Sequence, residues 1–300
     1  MTIPLLAEGP FVTDGGLETD LLFHHGFDLP EFAAFPLLDD PAGRAALDAY
    51  YDQYAAVARA AGQGLLVETP TWRANPDWAE KIGYDRVALD RANREAVAFA
   101  RGAQERAGVE RSLVVGIHGP RGDGYVAGPR PDPDEAAEYH VVQARSFAAE
   151  GADLVHAMTI TTPEEGVGVV RAARSVGLPV AVSFTVETDG RLPDGTSLRA
   201  AVERVDAVAS PDWFGINCAH PTHIAPAFDG GSWQERVCGV RPNASTLTHE
   251  ELDAMEELDE GDIALLTASF EQLRPHLPNL AVVGGCCGTD ARHVASLWGV

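Results

Sequence analysis

Eight short runs of apolar and β-branched residues recur along the 300-residue chain, separated by segments with the Ala-, Arg- and Glu-rich periodicity of helices. Alternation of this kind is the signature of repeated βα units. The runs fall at 11–14, 64–68, 113–118, 154–158, 179–185, 213–217, 235–240 and 280–284, with helical stretches that include 40–61, 86–107, 134–150, 164–176 and 198–208. No linker or low-complexity tract interrupts the order. Residues 1–300 are therefore expected to form one domain, an α/β fold closed as a single (β/α)8 TIM barrel.

A barrel of this type carries its chemistry at the C-terminal ends of its strands, so polar residues at those ends are the ones to weigh. They are Asp14, Glu68, His118, Thr159, Glu187, Asn217 with Cys218, Asn243, and the pair Cys286-Cys287. Two stretches rich in Gly, Pro and Asp or His, 119–133 and 219–233, read as long loops on the same face.

The adjacent thiols of Val-Val-Gly-Gly-Cys286-Cys287-Gly-Thr suit a metal better than a disulfide, because bridging neighbours strains the peptide between them. Cys218 at the end of the sixth run supplies a third sulfur. Three thiolates on a tetrahedral zinc leave one position open, as catalytic rather than structural zinc sites do. Cys238 falls inside the seventh strand, where a buried thiol fills core space, and is left out of the set. A structural zinc closed by a fourth protein ligand, or a redox-sensing thiol pair, remains as an alternative of a different class.

These motifs resemble the zinc-dependent homocysteine S-methyltransferase family. Gly-Ile-Asn-Cys218 followed by Gly-Gly-Cys286-Cys287-Gly-Thr is similar to its paired cysteine signature, and Thr13-Asp-Gly-Gly-Leu-Glu-Thr19, Gly119-Pro-Arg-Gly-Asp-Gly-Tyr125, Ser183-Phe-Thr and Asp194-Gly-Thr-Ser-Leu198 follow in family order. The resemblance implies Zn2+ on Cys218, Cys286 and Cys287, and methyl transfer from a cationic donor (S-methylmethionine, S-adenosylmethionine or a betaine) to the thiolate of homocysteine, giving methionine. No catalytic group beyond the activated substrate thiol is expected. A free thiol with a pKa of about 8.5 is mostly protonated at neutral pH, and coordination to zinc removes that proton.

Asp14, Gly15, Gly16, Glu18, Glu68, Asn217 and Thr159 are the expected substrate-binding residues. Glycines at a strand end permit close backbone approach to a ligand, Asp14 offers a carboxylate to an ammonium group, and Asn217 is placed to orient its neighbouring metal ligand. Met158 stands where the family usually has a glutamate for the acceptor's amino group. Either Glu68 or Glu187 has taken over that task, or the acceptor is a different small thiol. Trp72, Tyr125 and Trp233 are candidate rings for a cationic donor, with packing as the competing reading. His118, His220 and His223 are weighed as further ligands, against the ordinary role of a loop or core histidine.

Composition narrows the partners to small molecules. Lys and Arg number 22 against 45 Asp and Glu, a net charge of −23 that disfavours nucleic acid and anionic membrane surfaces. No apolar run reaches the ~18 residues of a membrane helix. The opening Met-Thr-Ile-Pro-Leu-Leu-Ala-Glu lacks the basic and apolar regions of a secretory signal, and free thiols suit a reducing compartment, so a cytoplasmic enzyme is expected.

Overall fold

A computed structural model describes residues 6–300; the first five residues of the segment read above for a secretory signal lie outside it. Eight parallel strands close in sequence order, β1 (Phe11–Val12), β2 (Gly64–Glu68), β3 (Ser112–His118), β4 (Leu154–Ile160), β5 (Val180–Phe184), β6 (Trp213–Asn217), β7 (Val237–Arg241) and β8 (Val282–Val283), with β8 paired back to β1. Helices Pro41–Ala61, Arg86–Ala107, Pro133–Ala149, Pro163–Ser175 and Leu198–Val208 follow the first five strands, and Ile263–Leu273 and Ala291–Trp298 follow the last two. Stretch 119–132 contains no helix or strand, as its Gly- and Pro-rich composition predicts, whereas the β6–β7 crossover, read as a loop over 219–233, carries the short helix Pro221–Ile224 and two 3-10 turns.

Helix starts are written locally. Asp40, Asp85, Asp132, Thr162 and Ser197 each accept a backbone N–H from the first turn of the helix they precede. Such caps satisfy donors that otherwise have no partner, each contributing about 1 kcal/mol.

The strands are apolar on both faces, as covered parallel strands must be. Outward residues such as Val114, Val155, Val182 and Ile216 join the layer beneath the helices; inward residues Phe11, Leu66, Val115, Ile117, Leu154, Ala181, Trp213, Cys238 and Val282 fill the barrel. Cys238 is fully buried in that filling.

Only Gly64–Glu68 and Trp213–Asn217 keep the boundaries read from the sequence; the other six strands shift by one or two residues at one or both ends, and two of those shifts bear on the site. The seventh strand starts later and ends later than 235–240, because Ser232–Arg236 turns as a 3-10 helix and Arg241 is the strand's last residue. The fourth strand runs on to Ile160 across an irregular register with β5, and Thr159 within it has φ 60°. A β-branched residue rarely adopts that left-handed conformation.

Candidate metal centre

Cys218, Cys286 and Cys287 meet at the C-terminal mouth of the barrel with their sulfurs within 4.8 Å of one another. Four ligands around zinc with Zn–S near 2.3 Å place sulfurs about 3.8 Å apart, so the three thiols fit a tetrahedral ion with little movement. Their environment already favours negative charge on one of them. Hydrogen bonds from Cys218 and Cys287, with Arg241 nearby, hold the Cys286 thiol well below its ordinary range, while burial pushes Cys218 up.

Each sulfur is carried on backbone locked by its neighbours. Cys218 follows β6 with φ 57°, held by its N–H donating to Arg241 O at 2.9 Å and by His249 Nε2 on its carbonyl at 2.8 Å. The Cys286-Cys287 turn is pinned to the segment after β1: Gly285 N donates to Asp14 O at 2.7 Å, and Gly16 N to Thr289 O at 2.9 Å. A methyl group on Gly16 would lie 2.6 Å from Cys286 O, and one on Gly15 2.7 Å from Thr289 O. What these two glycines admit so closely is the cysteine turn itself.

Asn217 accepts the N–H of Thr159 at 2.7 Å and donates to its hydroxyl at 2.9 Å, which holds the left-handed Thr159 in place; its amide also lies 3.7 Å from Cys286 Sγ. Asn243 reaches Cys218 Sγ at 3.8 Å. Tyr125, delivered by the loop after β3, places its hydroxyl 3.0 Å from Cys218 Sγ and 3.3 Å from Cys287 Sγ. Burial pushes that phenol well above its ordinary range, so it keeps its proton. Its ring stacks on His249, whose Nδ1 meets Glu187 at 2.9 Å.

Two chambers open on the sulfurs. The inner one is lined by all three cysteines with Asp14, Gly15, Gly16, Glu18, Glu68, Asn217 and Thr159, and with Phe32, Trp72 and Met158. The outer one, a cavity of about 370 Å³, touches Cys287 and carries Asp123, Asp253, Glu257 and Asp259. Phe32, Trp72, Tyr125 and Cys287 form the wall between them.

Arg241 is the residue that the sequence reading missed. Its buried guanidinium pairs with both Asp14 and Glu68, donates to Gly285 O at 2.8 Å and Gly15 O at 3.1 Å, and lies 3.5 Å from Met158 Sδ. Two acids at neighbouring strand ends were the available signal, since buried carboxylates call for a cation.

Other residues fall elsewhere. Glu187 is engaged by His249 and does not line the inner chamber. His118 points outward from β3 and packs between His140 and Phe147, because the inward positions of that strand are Val115 and Ile117. His220 caps the turn at Pro221–Ile224 and His223 bonds Thr246 O at 3.0 Å. Trp233 is buried against Phe228 with its indole on Asp229, and so is a packing residue.

Fold and site together define a class: a closed (β/α)8 barrel whose catalytic mouth gathers three cysteine sulfurs. The homocysteine S-methyltransferase family profile matches residues 11–298, and the chain belongs to that family. It is 32% identical over 119 residues to methionine synthase of Mycobacterium leprae (strain TN), a match spanning 39% of this chain and 10% of that protein. The metallated form of the homocysteine methyltransferase MmuM from Escherichia coli superposes with a TM-score of 0.73 at 21% identity, over 97% of this chain and 96% of that one. The oxidized form of the same enzyme gives 0.75 at 21%, over 97% and 95%. At this identity the likeness to the solved structures speaks for the fold.

Proposed function

We propose that the chain transfers a methyl group from a cationic donor to the thiol of homocysteine, using zinc held by Cys218, Cys286 and Cys287. The observation that carries this reading is the convergence of three sulfurs on one chamber at the barrel mouth, in a member of this family. Zinc supplies one thing when bound, a low pKa for a substrate thiol at its open position, so that the acceptor is a thiolate at neutral pH.

The remaining work belongs to the chain. Asn217 and Asn243 lie against the Cys286 and Cys218 sulfurs and fix their directions, as supporting groups around a metal do. Tyr125 donates toward the cluster from the loop side. The acceptor enters the inner chamber, which touches all three cysteines, and the donor takes the outer chamber, whose four carboxylates outweigh the single guanidinium of Arg73 and favour a sulfonium or quaternary ammonium. The acceptor sulfur forms a bond to the methyl carbon as the carbon–heteroatom bond breaks. The electron pair stays on the leaving sulfur or nitrogen, whose positive charge disappears, so no proton has to be supplied. Alignment of the two chambers across Cys287 is then the main contribution of the fold. Asp14, Gly15, Gly16, Glu18, Glu68 and Thr159 shape the acceptor side.

The test is elemental analysis of reduced, freshly purified protein followed by methyl transfer to homocysteine from S-methylmethionine, S-adenosylmethionine and betaine. About one zinc per chain and transfer from at least one donor is the expected result. Protein that neither contains nor takes up zinc refutes the reading.

A further inference from the structure

Three carboxylates line the inner chamber, and two of them are already engaged by one guanidinium. Arg241 holds Asp14 and Glu68, and its five N–H groups all have acceptors within the protein: Gly285 O at Nε, Glu68 and Met158 Sδ at Nη1, and Asp14 and Gly15 O at Nη2. The free oxygen of Glu68 faces His156 Nδ1, 3.8 Å away in the barrel interior. Arg241 therefore has no donor left for a substrate carboxylate; Asp14 and Glu68 share its charge, and the second oxygen of Glu68, though without a hydrogen-bond partner, is shut away from the chamber by its burial. Met158 offers only a thioether.

Glu18 is different. It sits in the short helix Leu17–Thr19, directly after Gly16, and lines the inner chamber but not the outer one. Among the described residues its carboxylate has no ion-pair partner; the hydrogen bond it receives comes from its own backbone N–H. Asp14 and Cys286 face it with negative charge and Arg241 opposes them from β7. Burial first, and those neighbours next, push the carboxyl up to about 7, the condition of an acid whose counterion is missing.

We infer that Glu18 is the specificity-determining residue that receives the ammonium of the acceptor, in the chamber where Asp14 and Glu68 are tied to Arg241. The inference rests on the reading of the inner chamber as the acceptor's. It assigns the acceptor as an amino-acid thiol, recognised at one end by the cysteine cluster and at the other by Glu18, with Leu17, Phe32 and Ile117 against the methylenes between.

The experiment compares binding of homocysteine with that of 4-sulfanylbutanoate, which lacks only the ammonium, by calorimetry on zinc-loaded wild type, Glu18→Gln and Glu68→Gln, with methyl transfer measured in parallel. A charge-assisted hydrogen bond predicts that wild type prefers homocysteine by about tenfold to about a hundredfold. Glu18→Gln should erase that preference while binding 4-sulfanylbutanoate within about threefold of wild type, well inside the range of the charge effect itself. Glu68→Gln should keep it. A preference that survives in Glu18→Gln, disappears only in Glu68→Gln, or is absent from wild type overturns the assignment, as does failure of wild type to bind either thiol. Wild type that shows the predicted binding pattern yet transfers no methyl group refutes the functional reading and leaves Glu18 as the ammonium site.

Discussion

Removing Arg241 tests the electrostatic design of the mouth most directly. Arg241→Met keeps the apolar stem and deletes the charge, leaving Asp14 and Glu68, 7% and 3% exposed in their side chains, without a cation. Breaking a buried pair in this way costs about 3–5 kcal/mol. The cost is capped by the ease with which the orphaned acids take up protons. From an unfolded carboxylate pKa of about 4, protonating one at pH 7.5 costs about 5 kcal/mol and at pH 5.5 about 2 kcal/mol. In the variant the folded pKa of each acid rises above its unfolded value, so the folded state binds more protons. Relative stability then improves as pH falls and is lost as pH rises through the folded pKa. Urea denaturation of wild type and Arg241→Met at pH 5.5 and 7.5 should show a penalty larger at the higher pH by up to about 3 kcal/mol for each acid that takes up a proton. The combination Asp14→Asn, Glu68→Gln, Arg241→Met removes all three charges and should recover most of the loss. A penalty below about 1 kcal/mol, or one that does not vary with pH, refutes the account of Arg241 as counterion to two buried acids.

Three further outcomes are expected. Alanine at Cys218, Cys286 or Cys287 should abolish zinc retention in elemental analysis, whereas Cys238→Ala, inside the barrel filling, should keep the metal and lose about 1–2 kcal/mol of stability. Gly16→Ala drives a methyl into the Cys286 carbonyl at 2.6 Å and should weaken zinc in a chelator competition, while Gly122→Ala, with open space around it, should not. His156 is buried and held down to about 4. Its neutral form is the folded one, so stability is full above the unfolded pKa near 6.5 and falls as pH drops toward 4, by about 3 kcal/mol, and His156→Gln should flatten that slope in denaturation curves.

The barrel was legible because each of its strands is an apolar run bounded by turn residues, and strand order then placed Asp14, Glu68, Asn217 and the cysteines at one mouth without any further information. His118 was not legible: both faces of β3 are apolar, so nothing in Leu113–Ile117 tells which parity looks inward. Arg241 was lost for two reasons. The 3-10 turn at Ser232–Arg236 shifted the apparent strand by a residue at its end, and Arg241's partners lie more than 170 positions earlier in the chain, beyond any local pattern. The left-handed Thr159 and Cys218 are likewise products of tertiary clamps from Asn217, Arg241 and His249, which no local propensity announces.

On the assignment of acceptor and donor proposed above, the shared wall of Phe32, Trp72, Tyr125 and Cys287 sets a rule for inhibitor design. A compound that joins an amino-acid thioether to a cationic arm must thread its tether past three rings and one sulfur, so the length and slimness of the linker, more than either head group, will decide whether both chambers are filled at once.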